Sequence, residues 1–354
     1  MNTKIIFRPA LLLGSLLVFT YCQTAPADSG EVPITPATPW ELIVVEQGAG
    51  TVSILDPQTG QKKKEIAVGY NPHEIALSAD NRTAYVSNFG IEDYDRTIGT
   101  PGLNISVIDI PTGQVTATFP TNRRPELTDN QAPHGIRLRP GRPQELYVNV
   151  EVGDSMLVYD TGSGQIRRTF PLPPGAHNFI FSPSGDTIFL FSGEEGIFSF
   201  RPETGEQLAH FETGSASRGL TYTLDGKYLI VSCGDEIYLL DPTDLSVHRH
   251  YPELGVRQII YSTPAPDGKH ILAPCPYDGV VLLIDMESGQ IVRRMETGKA
   301  PIYVQVAPGN EKAYIANAMD THLSVLDLAA FTLDTIGGVN RPNGFGFIGR
   351  PVDK

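Results

Sequence analysis

Short apolar runs, mostly four to seven residues long, recur along almost the whole chain, bounded by Gly, Pro, Asp, Asn or Ser. HEIALS (73–78), TAYVSN (83–88), NISVID (104–109) and QVTATF (114–119) form one consecutive set. Runs of this length with period-two alternation predict β-strands, and the polar segments SADNR, SPSGD, TLDGK and APDGK predict the tight turns between them.

One boundary recurs often enough to define a repeat. An apolar strand ends in Asp and is followed by a turn closing in Gly: TVSILDPQTGQ (Asp56, Gly60), NISVIDIPTGQ (Asp109, Gly113), MLVYDTGSGQ (Asp160, Gly164), IFSFRPETGE (Arg201, Gly205), IYLLDPTDLS (Asp241), VLLIDMESGQ (Asp285, Gly289) and LSVLDLAAFT (Asp327). The Asp carboxylate can accept backbone amides ahead of it and Gly supplies positive φ before the return strand. Three copies lack one of the two residues. Seven units with a period of about 40–45 residues, each holding four short strands, predict an all-β, seven-bladed β-propeller over residues 41–349. The chain enters at ELIVVE (41–46), which matches a second strand, and leaves at GFGFIG (344–349), which matches a first strand. The C-terminal strand is therefore expected to complete the first blade, leaving no open edge in the ring. Residues 350–354 form a tail.

Composition agrees with this reading. Of 354 residues 35 are Gly and 29 Pro, which excludes a helical bundle. A formal charge of -13 argues against nucleic acid and against a general attraction to anionic lipid. The first 22 residues, with Lys4 and Arg8 before an uncharged run from Ala10 to Tyr21, read as a signal peptide. Two cleavage readings stay open: lipidation of Cys22, or cleavage after Ala25-Pro26-Ala27 to release a soluble chain. Residues 23–40 read as a flexible tether. The expected location is the periplasm or cell envelope, with membrane attachment only through a lipid on Cys22, and the expected state is a monomer.

YVSN at Tyr85–Asn88, AYIAN at 313–317 and the SVIDxxTG anchors resemble the YVTN family of seven-bladed β-propellers. The likeness spans residues 41–349. It implies the fold, and kinship with lactonase-type propellers, the methylamine dehydrogenase heavy chain and a haem-binding nitrite reductase propeller implies several unrelated activities on one scaffold.

Candidate chemistry comes from aligning the blades. Asn343, His73, His134, His177, Arg218, Arg257 and Ile302 fall in phase on the seven first strands and are expected to ring the channel mouth. The arginines can grip an anion and the histidines can ligate a transition metal or move protons, so the expected ligand is a small anionic molecule or a protein partner, with a transition metal on His73, His134 and His177 as the candidate cofactor. A polar lining of a watery channel is the competing explanation. A second in-phase position holds Glu46, Asn88, Val150, Ser192, Cys233, Cys275 and Asn317, which aligns two cysteines without fixing whether they are bridged. The long segments 89–103 and 120–133 fall on the same face as the ring. No GxSxG, phosphate loop, dinucleotide fingerprint or CxxCH is present. The sequence thus favours an exported non-enzymatic binding propeller, with a lactonase-like or redox enzyme as the alternative.

Overall fold

The computed structural model describes residues 40–92, 97–124 and 129–349. The leader, Cys22, most of the tether and the 350–354 tail lie outside them. The described chain forms seven four-stranded antiparallel sheets, arranged as the blades of a β-propeller. Six blades use consecutive strands, beginning with Pro72–Leu77, Thr83–Asn88, Asn104–Asp109 and Gln114–Pro120 as blade 2. In blade 1 the strand order is Pro342–Ile348, Glu41–Glu46, Thr51–Leu55, Lys62–Ala67. The two ends of the ring therefore share one sheet, with Leu42 opposite Phe347 and Val44 opposite Phe345.

The core is distributed. Each pair of neighbouring blades encloses its own cluster of buried side chains, such as Tyr85, Ile105, Ile136, Val148 and Leu157 between blades 2 and 3. The cluster that closes the ring joins Leu42 and Val44 to Tyr314, Leu323 and Phe345. This follows from the strand pattern: middle strands such as Ile188–Ser192 are buried on both faces, whereas outer strands such as Gln114–Pro120 and Ile291–Glu296 are exposed along most of their length, the latter carrying Arg293, Arg294 and Glu296.

The Asp turns form as the repeat predicts. Asp56 Oδ1 accepts the amides of Gln58 (3.0 Å) and Thr59 (2.9 Å), Asp285 and Asp327 likewise accept two amides, and Asp109 and Asp160 each accept one amide and one hydroxyl, from Thr112 and Ser163. The Thr112, Ser163 and Ser288 hydroxyls first, and then the amides, hold Asp109, Asp160 and Asp285 below the ordinary carboxyl pKa, while at Asp56 and Asp327 the amides lead. Where the closing Gly is missing, Leu245 (φ 61°) and Phe331 (φ 56°) take the left-handed conformation instead. Gly205 (φ 73°) shows a second reason for glycine: a Cβ there would lie 2.4 Å from the Phe170 ring of the preceding blade.

The second in-phase position proves structural. Buried Glu46 accepts the Asn340 amide (2.8 Å) and pairs with Lys62 (2.8 Å) and Ser53, tying the closing strand to blade 1. Asn88 accepts the Gly69 amide (3.0 Å), and the Ser192 hydroxyl donates to Pro174 O (2.6 Å). Cys233 and Cys275 are buried free thiols, and burial pushes each up to about 12.

Candidate functional site

The first strands gather around the axis, and their N-terminal ends present the aligned position at one mouth of the channel. Register can be checked at the turn that follows each first strand. Ser78 N donates to Thr83 O, Ser182 N to Thr187 O, Thr223 N to Tyr228 O, Ala265 N to His270 O and Ala307 N to Lys312 O. Counting back equally from these turns gives His73, His177, Arg218, Ile260 and Ile302. Asn343 and His134 occupy the corresponding places in blades 1 and 3.

Arg257 is therefore outside the ring, three residues before the in-phase Ile260. It is exposed, donates to Tyr277 O (2.6 Å) and lies over the Tyr277 ring (5.5 Å), a rim position. The shift arises because the first strand of blade 6 is reduced to Thr263–Pro264, so no alternating run marks its phase.

The three histidines form an arc of rings in contact. His73 and His134 centroids are 4.0 Å apart, and His134 and His177 are also 4.0 Å apart. Phe89, the first residue of the long 89–103 segment, sets its ring edge against both His73 (5.4 Å) and His134 (5.1 Å). That segment is held in turn by Glu92, whose carboxylate receives two hydrogen bonds from Arg341 (2.8 and 3.3 Å). His134 is completely buried.

Glu151 completes the arc. It stands one residue past Val150, where blade 3's second strand ends beside the mouth, with Oε1 2.7 Å from His177 Nδ1 and 4.0 Å from His134 Nε2. Among the described residues, the group of three whose donor atoms lie within 4.8 Å of one another is His134, Glu151 and His177. His73, expected to share a metal with the other two, is not in this set; it packs behind His134. The missed signal was a single carboxylate at the end of the apolar run YVNVEV.

A cavity of about 330 Å³ opens on this arc. One side carries His73, Glu151, His177 and Arg218; the other carries Ile260, Ile302, Pro276 and the Tyr261 ring. Arg218 is half-buried, and its one hydrogen bond among the described residues runs from Nη1 to Ser217 O (2.9 Å). No carboxylate among the described residues pairs with it. Asn343 is buried and donates to Gln47 Oε1 (3.4 Å).

Below the ring, polar bonds cross the channel. Asn178 Nδ2 of blade 4 donates to Glu74 Oε1 of blade 2 (3.1 Å) and to Tyr261 Oη of blade 6 (3.1 Å), and Arg137 of blade 3 pairs with Glu74 (3.3 Å). Glycines let the strands come this close: a Cβ at Gly219 would lie 2.3 Å from Tyr261 N. A second cavity, lined by Glu74, Arg137, Tyr303 and Phe347, lies on the other side of this network.

No family model matches the chain, and no curated protein matches it. Among solved structures it is similar to Kuenenia stuttgartiensis hydrazine synthase, with a TM-score of 0.64 and 20% identity over 82% of this chain and 92% of that one. It is also similar to the dihydro-heme d1 dehydrogenase NirN in complex with DHE, with a TM-score of 0.58 and 13% identity over 86% of this chain and 74% of that one. At these identities the likeness is one of fold.

Proposed function

We propose that this is an exported binding propeller whose axial mouth takes a small organic anion with an apolar body. The observation that carries the reading is Arg218, a half-buried guanidinium that lines the cavity with no carboxylate partner among the described residues. A guanidinium withdrawn from bulk water binds a carboxylate through two parallel hydrogen bonds far better than an exposed one. The facing isoleucines and Tyr261 add apolar contact, and a cavity of this size suits a small ligand. The basic and apolar leader supports export.

Calorimetric titration with benzoate and with acetate tests this. Benzoate should bind roughly tenfold tighter or more, because it alone buries apolar surface against Ile260 and Ile302. Arg218→Ala should weaken benzoate binding by a similar factor. Equal affinity for the two anions, or an unchanged affinity in the variant, would overturn the assignment.

The alternative, a lactonase-like or redox enzyme, draws support from one contact. Glu151 next to His177 Nδ1 can orient that imidazole so that Nε2 faces the cavity as a general base. The two similar structures are named for enzymes, and at their identities those names weigh little. Hydrolysis of a small lactone by the purified chain, lost in His177→Gln with an unchanged melting curve, would move the reading to the enzyme.

A further inference from the structure

We infer that His134, His177 and Glu151 form a site for one divalent transition metal ion, with an open coordination position facing the axial cavity. The donor atoms already converge. Three atoms within 4.8 Å of one another share a point that is no more than about 2.8 Å from any of them. Zn–N and Zn–O bonds are about 2.0–2.2 Å, so closing the set needs side-chain movement of under about 1 Å.

Donor chemistry selects the ion. Two imidazoles with one carboxylate suit zinc, iron, cobalt or nickel, whereas calcium and magnesium need mostly oxygen ligands. Three protein ligands also leave a transition metal coordinatively open, as in catalytic rather than structural sites. His177 and Glu151 both line the cavity, so that open side faces it, across from the isoleucines.

The surroundings fix the ligands before any ion arrives. His134 is completely buried, held by the His73 ring on one side, His177 on the other and the Phe89 edge. His134 lies in blade 3's first strand, Glu151 near the end of its second, and His177 immediately before blade 4's first strand Asn178–Phe181, so the site sits on or directly beside strands rather than on long loops. A plain hydrogen-bonded His–Glu pair would need only His177. The second imidazole, with Nε2 4.0 Å from the same carboxylate oxygen, turns the pair into a three-ligand set.

The test is titration of the chelator-treated full propeller with Zn²⁺ alone by calorimetry, and with Co²⁺ alone by visible absorption, in a buffer without carboxylates. One equivalent of Zn²⁺ should bind, and Co²⁺ should give the intense d–d bands of a low-coordinate site. Glu151→Gln and His177→Gln should each weaken Zn²⁺ binding by roughly a hundredfold or more, while His73→Gln changes it by less than about tenfold. Melting curves identify any variant that fails to fold, and His134→Gln then serves as the replacement for whichever fails. No saturable binding, or equal binding in the Glu151 and His177 variants, would overturn the site. Failure here is separable from failure of the anion reading, since Arg218→Ala should retain the metal while losing benzoate, and benzoate binding to chelator-treated protein is scored independently.

Discussion

Around one axis, blades 2 to 4 and blades 6 and 7 present the same backbone position with opposite chemistry. The first group supplies His73, His134 and His177 with Glu151 beside them; the second supplies Ile260 and Ile302. Ile260 and Ile302 also pack into the apolar cluster that closes the ring, so packing accounts for part of the apolar arc, whereas His73, His134 and His177 with Glu151 form the polar one. What packing does not require is the histidine and carboxylate arc, and its placement opposite the isoleucines matches the ligand proposed above, with a charged end and an apolar end.

The strongest way to break the contrast is to remove the ring that makes the two arcs face each other. Deleting residues 342–354 takes away the inner neighbour of Glu41–Glu46 and the buried Phe345 and Ile348. Loss of Phe345 alone is expected to cost about 3–5 kcal/mol, against a typical total of about 5–15 kcal/mol, so calorimetry should find no cooperative melting transition in the truncation.

A smaller change reverses one arc. Ile302→Glu puts a carboxylate on the cavity wall facing Arg218, and benzoate affinity should fall roughly tenfold or more in titration. The same variant should bind Zn²⁺ at least as well as the unaltered chain.

Arg257→Ala sharpens the boundary of the site. This arginine sits on the rim with its guanidinium exposed, so its loss should change benzoate affinity by less than about threefold, through long-range attraction only. An effect equal to that of Arg218→Ala would return Arg257 to the site.

The smallest effect concerns charges that belong to turns and not to either arc. Asp225, lowered to about 2 by the Thr223 hydroxyl and then by Lys227, has a folded pKa below its unfolded value. Its stabilising contribution is present above the unfolded pKa of about 4 and is lost as pH falls toward 2. Asp225→Asn should slightly flatten the acid decline of the melting temperature over that window and leave benzoate and Zn²⁺ binding unchanged.

The propeller was legible because its signals are local. Strand length, the Asp turns and the entry and exit strands ELIVVE and GFGFIG all sit within a few residues of the features they specify, and the structure pairs them as read. Ring phase was legible wherever a first strand alternates over several residues. It slipped in blade 6, whose first strand is two residues long, and so Arg257 stood in for Ile260. Glu151 was not legible, since its partner His177 lies in the next blade and only the fold brings Nδ1 within 2.7 Å of the carboxylate.

The shared first blade also has a consequence in time. Five of the seven interblade clusters join only segments that follow one another in the chain; Ile348 also enters the cluster between blades 1 and 2, and the ring-closing cluster joins Leu42 and Val44 to Tyr314 and Phe345. That contact spans almost the whole sequence, so its loop-closure entropy is the largest in the molecule and it should be the slow step of refolding. Until Pro342–Ile348 arrives, Glu41–Glu46 waits as an apolar strand with one bare edge, the species most prone to pair with another chain. The mouth, which needs Asn343 in place beside His73, comes into being only when this last strand docks.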